Sequence, residues 1–138
     1  NQELVTRDTL LRTVLVKATK LVMVSGCDPV AAQRFLLASE YLSELKRSSQ
    51  AYVVVNRFRT SALGSRAKDE LEQTYLNLAK LRVDCFIPDD PQNIDKAMLN
   101  GLPLVLLKRS SPARVAIGQL TKQLLAGSIT RASVAKLS

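Results

Sequence analysis

Asn56 follows directly on the apolar run Val53-Val54-Val55, and its side-chain amide offers one donor and one acceptor side by side, the pair that a purine edge requires. An Asn at a strand end serves equally well to close a turn through its own backbone, so both roles stay open at this stage. Arg57 and Arg59 come next, and two further polar groups also stand just beyond apolar runs: Ser25 with Asp28, and Pro88-Asp89-Asp90. In open parallel sheets ligands gather outside the carboxyl ends of the strands, which makes these the positions where a ligand would meet the chain. The adjacent carboxylates of Asp89 and Asp90 suit helix capping better than general acid and base work, which needs two groups held apart around a substrate.

The absences exclude whole classes of chemistry. The chain contains no His, so the Ser-His-Asp and Cys-His arrangements and the common histidine metal sites are ruled out together. Cys27 and Cys85 are its only cysteines and form no CxxC, which reads as two free thiols and no zinc module. The five glycines are scattered, and no GxxxxGK[ST] or GxGxxG loop is present to cradle a triphosphate. No catalytic residue and no metal ligand is expected in this chain.

The formal net charge of +8 is unevenly placed. From Lys96 to Ser138 there are seven bases and no acid, with Lys108, Arg109, Arg114 and Lys122 the best candidates for a polyanion-binding surface. Non-specific duplex DNA, another acidic partner and an anionic membrane surface all fit such a patch; so does a solvated face of helix ends that favour cations. A second acid-free window runs from Leu45 to Lys68. All six aromatic residues precede residue 87, so the basic third has no rings on which unpaired bases could stack.

The elements that must position these residues follow from hydrophobic spacing. Leu10, Leu11, Val14, Leu15 and Ala18 give a helical stripe over Thr6 to Thr19; Leu21 to Val24 reads as a buried strand ended by Ser25-Gly26. Asp28-Pro29 is a cap followed by a proline at the first helical position, and the helix it opens runs to Lys46 and Arg47. Tyr52 to Val55 is a second buried strand, Asn56 to Gly64 a loop, and Ala67, Leu71, Tyr75 and Leu78 a third helical stripe. Val83 to Ile87 is a shorter strand stopped by Pro88, after which Asp90-Pro91 repeats the capping device and Asn100-Gly101 ends the helix. Leu104 to Leu107 is a candidate fourth strand or an extended loop, since Pro103 confines it to an edge. Ser111-Pro112 opens the last helix.

Helices alternating with near-continuous apolar strands give an α/β class, a parallel sheet covered by helices on both faces. With 138 residues, 46% hydrophobic and 23% charged, the chain suits one α/β domain over residues 1–127 followed by a frayed or weakly helical tail over 128–138. Its longest apolar run, Leu102 to Leu107, is far short of the ~20 residues that cross a bilayer, and no signal-peptide pattern opens the chain. A cytoplasmic location is expected. The chain begins with Asn1 and reads as a piece of something longer.

The order of motifs carries a resemblance. The runs "LRTVLVKATKLVMVSGCDPVAAQRFLLASEYL", "YVVVNRFRTSALGSRAKDELE" and "CFIPDDPQNIDKAMLNGLPLVLLKRSSPARVAIGQLTKQL" resemble the C-terminal half of the MinD/ParA family of P-loop ATPases, nearest the CpaE/TadZ-type branch associated with pilus assembly and polar localisation. The most specific parts are Val53 to Arg57, and "IPDD" followed by Ala97 to Pro103. The resemblance implies a partial P-loop fold whose P-loop, switch Asp and Walker B strand lie upstream. It implies Asn56, Arg57, Pro88 and Asp89 as the wall flanking an adenine. For a parent with an intact P-loop it implies ATP and Mg, with no cofactor held by this chain alone; self-association as a dimer is expected separately, from the unprotected sheet edge or face where a missing half would pack. The rival readings are a non-hydrolysing scaffold of the same fold and a basic DNA-binding α/β module. Lys20 and Cys27 depart from the family pattern, which often has Asp and Pro there.

Overall fold

In the computed structural model, residues 2–44, 50–59, 64 and 66–126 are described. Their elements, in chain order, are α1 (Gln2–Lys17), β1 (Lys20–Ser25), α2 (Pro29–Glu44), β2 (Gln50–Phe58), α3 (Ala67–Ala79), β3 (Cys85–Pro88), α4 (Pro91–Leu99), α5 (Leu104–Leu107) and α6 (Pro112–Ala126). The strands form a three-stranded parallel sheet in the order β1-β2-β3, with β1 and β2 in register from Lys20↔Gln50 to Ser25↔Val55. The α/β class is as the sequence predicts. The chain folds into two compact units, Asn1–Phe86 and Ile87–Ser138.

The first unit is organised by β2. Successive strand side chains point to opposite faces, so Val53 and Val55 share one side and Tyr52 and Val54 the other; all four are essentially inaccessible to solvent. Met23 lies beside Val53, and these residues pack with Ala32 and Phe35 of α2 and Ala67 and Tyr75 of α3 in one apolar cluster. Burying each such Val contributes about 1.5–3 kcal/mol. The Tyr75 hydroxyl meets the Ser25 hydroxyl at 2.7 Å inside this cluster, satisfying two polar groups that would otherwise be stranded. Phe58 stacks edge-on against Phe86 with ring centroids 4.9 Å apart, and Lys68 Nζ sits 4.9 Å above the Phe86 ring.

The two Asp-Pro devices behave differently. Asp28 caps α2 in the ordinary way, its Oδ1 accepting from the Ala31 N–H at 2.9 Å. Asp90 makes no side-chain cap on α4; its carboxylate accepts from Asn93 Nδ2 at 2.6 Å and from the Ser111 hydroxyl at 2.5 Å. The second unit is thus fastened by a buried polar knot in which the Ser111 oxygen also accepts from the Arg114 N–H at 3.2 Å. Helix α4 ends as predicted: Gly101, at φ 60, donates to Met98 O at 3.1 Å while Leu102 donates to Ala97 O at 3.0 Å, a Schellman closure that needs a residue tolerant of the left-handed region.

Three expectations are corrected. Leu104 to Leu107 is a single helical turn and not a strand: Pro103 sits extended at its N-cap, its carbonyl accepts from Leu106 N at 2.9 Å, and Pro has no N–H to offer a sheet. Asn56 does not open a loop, because β2 runs on to Phe58, drawn inward by the Phe86 contact. β3 starts at Cys85 and not at Val83, since Asp84 binds β2 by other means: its N–H donates to Val53 O at 2.8 Å and its Oδ2 accepts from Val53 N at 2.6 Å. The close of the second helix at Lys46 and Arg47, and the tail over 128–138, lie outside the described residues.

Candidate functional site

At the carboxyl end of β1, Ser25 is buried and its hydroxyl is committed to Tyr75, with Gly26 O at 3.1 Å and Ala31 O at 3.4 Å as further partners. It is a packing residue. The following Gly26 is required by a close approach, since a Cβ there would lie 2.8 Å from that of Ala31. This tight turn brings Cys27 toward the end of β2, where its thiol donates to the Arg57 carbonyl at 3.2 Å.

At the carboxyl end of β2, Asn56 is half-buried and its side-chain amide makes no hydrogen bond among the described residues. A strand-end Asn that closed a turn would spend that amide on nearby backbone; this one does not. Arg57 is exposed and adopts φ 56, the left-handed region that a side chain with a Cβ enters only at a cost. Such outliers gather at ligand sites and turns, and here the outlier lies inside β2, one residue beyond Asn56 and one before Phe58. Sequence reasoning singled out both residues; the left-handed geometry had no signal in the sequence, because no Gly or Asn stands at position 57.

Pro88 closes β3, and Asp89 follows it half-buried. These two belong to the second unit, where Asp90 is held by its knot. The Ser111 hydroxyl, first, and the Asn93 amide keep the Asp90 carboxyl below the usual carboxylate range, against the opposing effect of burial. Burial pushes the Tyr75 hydroxyl and the Cys85 thiol up, which keeps Cys85 protonated and a poor nucleophile. Both cysteines are free, as expected. No group of His, Cys, Asp and Glu side chains suits a metal ion among the described residues.

Of the four candidate polyanion residues, Lys108 and Arg109 are exposed between α5 and α6, and Lys122 is exposed on α6. Arg114 is half-buried in the first turn of α6, and its Nη1 donates to the Arg109 carbonyl at 2.9 Å. The sequence treats the four as equivalent charges. The structure separates them into three solvated cations and one guanidinium folded into the surface, a distinction that net charge cannot encode.

No helix among the described residues is long and apolar enough to cross a membrane. No protein-family model matches the chain, and no curated protein matches it by sequence. A solved structure does match: the MinD cell division protein of Aquifex aeolicus superposes with a TM-score of 0.66 at 21% identity, covering 83% of this chain and 47% of that one. The chain spans about half the length of that protein. Likeness at this level establishes the fold, and the fold of this chain is MinD-like.

Proposed function

We propose that the chain supplies the base-side wall of the nucleotide site in a MinD/ParA-like positioning or partition protein, as the C-terminal half of such a protein and nearest its CpaE/TadZ-type branch. The observation that carries this reading is Asn56: a half-buried residue near the carboxyl end of the central strand of a MinD-like sheet, whose side-chain amide has no protein hydrogen bond among the described residues. Arg57 follows it in β2, and the resemblance adds Pro88, which ends β3, and Asp89 just beyond it. For a parent protein with an intact P-loop, the cofactor on this reading is ATP with Mg; this sequence itself carries no such loop. The exposed Lys108, Arg109 and Lys122 suit loose, salt-sensitive contact with duplex DNA or another acidic partner.

Titrating the isotope-labelled chain with ATP and with GTP, while following backbone amide resonances, tests the reading. Adenine should perturb Asn56 and Arg57 more than guanine does, with a Kd of about 1 mM or weaker because the phosphate side is absent. Asn56→Ala should remove the perturbation, and no phosphate should be released, since clustered backbone N–H groups and a P-loop Lys are missing. Equal responses to both bases, or a response unchanged in Asn56→Ala, would overturn it.

A further inference from the structure

A cleft of about 560 Å³ lies between α5 and α6, wholly within the second unit. Its apolar wall is built from Leu104, Val105, Val115 and Ile117, and two cations, Arg114 and Lys122, border it. The volume falls within the range of small-molecule sites, which pair apolar walls with a few placed polar groups. Every charged residue from position 96 onward is basic, so no carboxylate in that stretch competes for the cations.

Arg114 is the distinctive group. Its Nη1 is used by the Arg109 carbonyl, whereas its Nε is buried and has no hydrogen-bond partner. Nε and Nη2 form the side-on edge of a guanidinium, the fork that matches the two oxygens of a carboxylate. A buried donor without an acceptor is unfavourable, and an incoming carboxylate relieves it. Along α6, Arg114, Gly118 and Lys122 recur every four residues and so share one face. Gly118 stands between the cations with open space where a Cβ would be, leaving a trough roughly 12 Å long from one to the other.

We propose that this cleft is a binding site for an amphiphilic monocarboxylate, a medium-chain acyl anion whose head docks on the Nε–Nη2 edge of Arg114 and whose chain lies over Gly118 against Leu104 and Val105. Neither the MinD-like fold nor the nucleotide reading calls for such a site, and its success or failure is independent of Asn56. Lys122, exposed at the far end, adds long-range attraction and no fixed contact. Arg114 is preferred as the head site because it pairs a forked guanidinium with a buried, unpartnered Nε, whereas Lys122 is a single exposed ammonium.

The test is calorimetric titration of the chain with hexanoate, octanoate and decanoate, each below its micellar concentration, and with octanol as the uncharged control. Affinity should rise about two- to fourfold per added methylene until the trough is full, and octanol should bind at least tenfold more weakly than octanoate. Arg114→Lys, which keeps the charge and loses the fork, should weaken octanoate about tenfold. Gly118→Leu should block the chain while leaving the helix intact, as shown by an unchanged or raised melting temperature, since Gly is a poor helix former and the space is open. Affinity independent of chain length, unaffected by Gly118→Leu, or seen only with anionic vesicles and not with the monomeric acids, would overturn the proposal.

Discussion

Val53, Val55 and Tyr75 in the first unit have no solvent exposure at all, whereas the buried apolar residues of the second unit are Ala97, Ala113, Ala116 and Leu120, accompanied by Asp90 and Ser111. At the same time the second unit leaves Met98 76%, Leu99 88% and Leu106 71% exposed. One unit is held by the area of large side chains removed from water, the other by small residues around a carboxylate and a hydroxyl. The two modes fail differently. Apolar packing is sensitive to volume and to inserted charge, while a buried polar knot is sensitive to pH and to the loss of one partner.

The largest expected effect is that of Val53→Asp. A carboxylate there has no partner and no route to water, and the cost of about 3 kcal/mol or more should abolish the cooperative unfolding transition seen by circular dichroism. Met98→Asp, which places the same group on an exposed site of the second unit, should stay within about 0.5 kcal/mol of the parent. Comparable losses for the two variants would erase the contrast between the units.

Asp90→Ala comes next. It leaves the Ser111 hydroxyl buried without its acceptor and should cost about 1–3 kcal/mol in urea denaturation at neutral pH. The sign of the pH dependence follows from the direction of the shift: the folded carboxyl titrates below its unfolded value, so its contribution is complete above the unfolded pKa of about 3.9 and is lost as pH falls through the lower folded value. The stability gap between the parent and Asp90→Ala should therefore narrow in acid. A gap that stays constant down to pH 2 would show that the ionised form is not what fastens the knot.

In the core of the first unit the hydroxyl counterpart is the Ser25–Tyr75 hydrogen bond, and Tyr75→Phe measures it. Ser25 keeps Gly26 O and Ala31 O as alternative partners, so the loss should be about 1 kcal/mol, with no change in acid because neither hydroxyl titrates there. A loss equal to that of Asp90→Ala would mean that the first unit also depends on a polar contact.

How much of this was legible in the sequence depends on the kind of unit. The strands of the first unit announced themselves because Leu21 to Val24 and Tyr52 to Val55 are apolar without interruption; β2 is buried as that pattern predicts, whereas β1 is not, with Val22 and Val24 exposed. The helix starts at Pro29, Pro91 and Pro112 and the stop at Gly101 were readable from local chemistry. The turn over Leu104 to Leu107 was not, since a short apolar run after a proline satisfies helix and strand alike. Asp84 was missed as a strand-pairing residue because its role depends on the position of Val53, 31 residues away. Asn56 was found through its place after an apolar run, but its unspent amide and the left-handed Arg57 are tertiary facts with no local code.

β1 and β2 sharpen the comparison within one sheet, and this is where the smallest effect on stability is expected. The two strands read alike in sequence, yet Val54 is 1% exposed while its registered neighbour Val24 is 60% exposed. β1 ends the order β1-β2-β3, so among the described residues one of its edges pairs with no strand. Unprotected edges template pairing with another chain, and Lys20 is the one charged residue on this strand. We therefore expect the chain to self-associate through β1. Val24→Lys places a charge on that strand without touching the packed cluster around Met23 and Val53, so it should shift stability by no more than about 0.5 kcal/mol while lowering the weight-average mass in sedimentation equilibrium. A parent that remains strictly monomeric at high concentration, or a Val24→Lys variant that associates as strongly as the parent, would show that β1 is closed to other chains despite its exposure, and the difference between the two strands would then be one of burial alone.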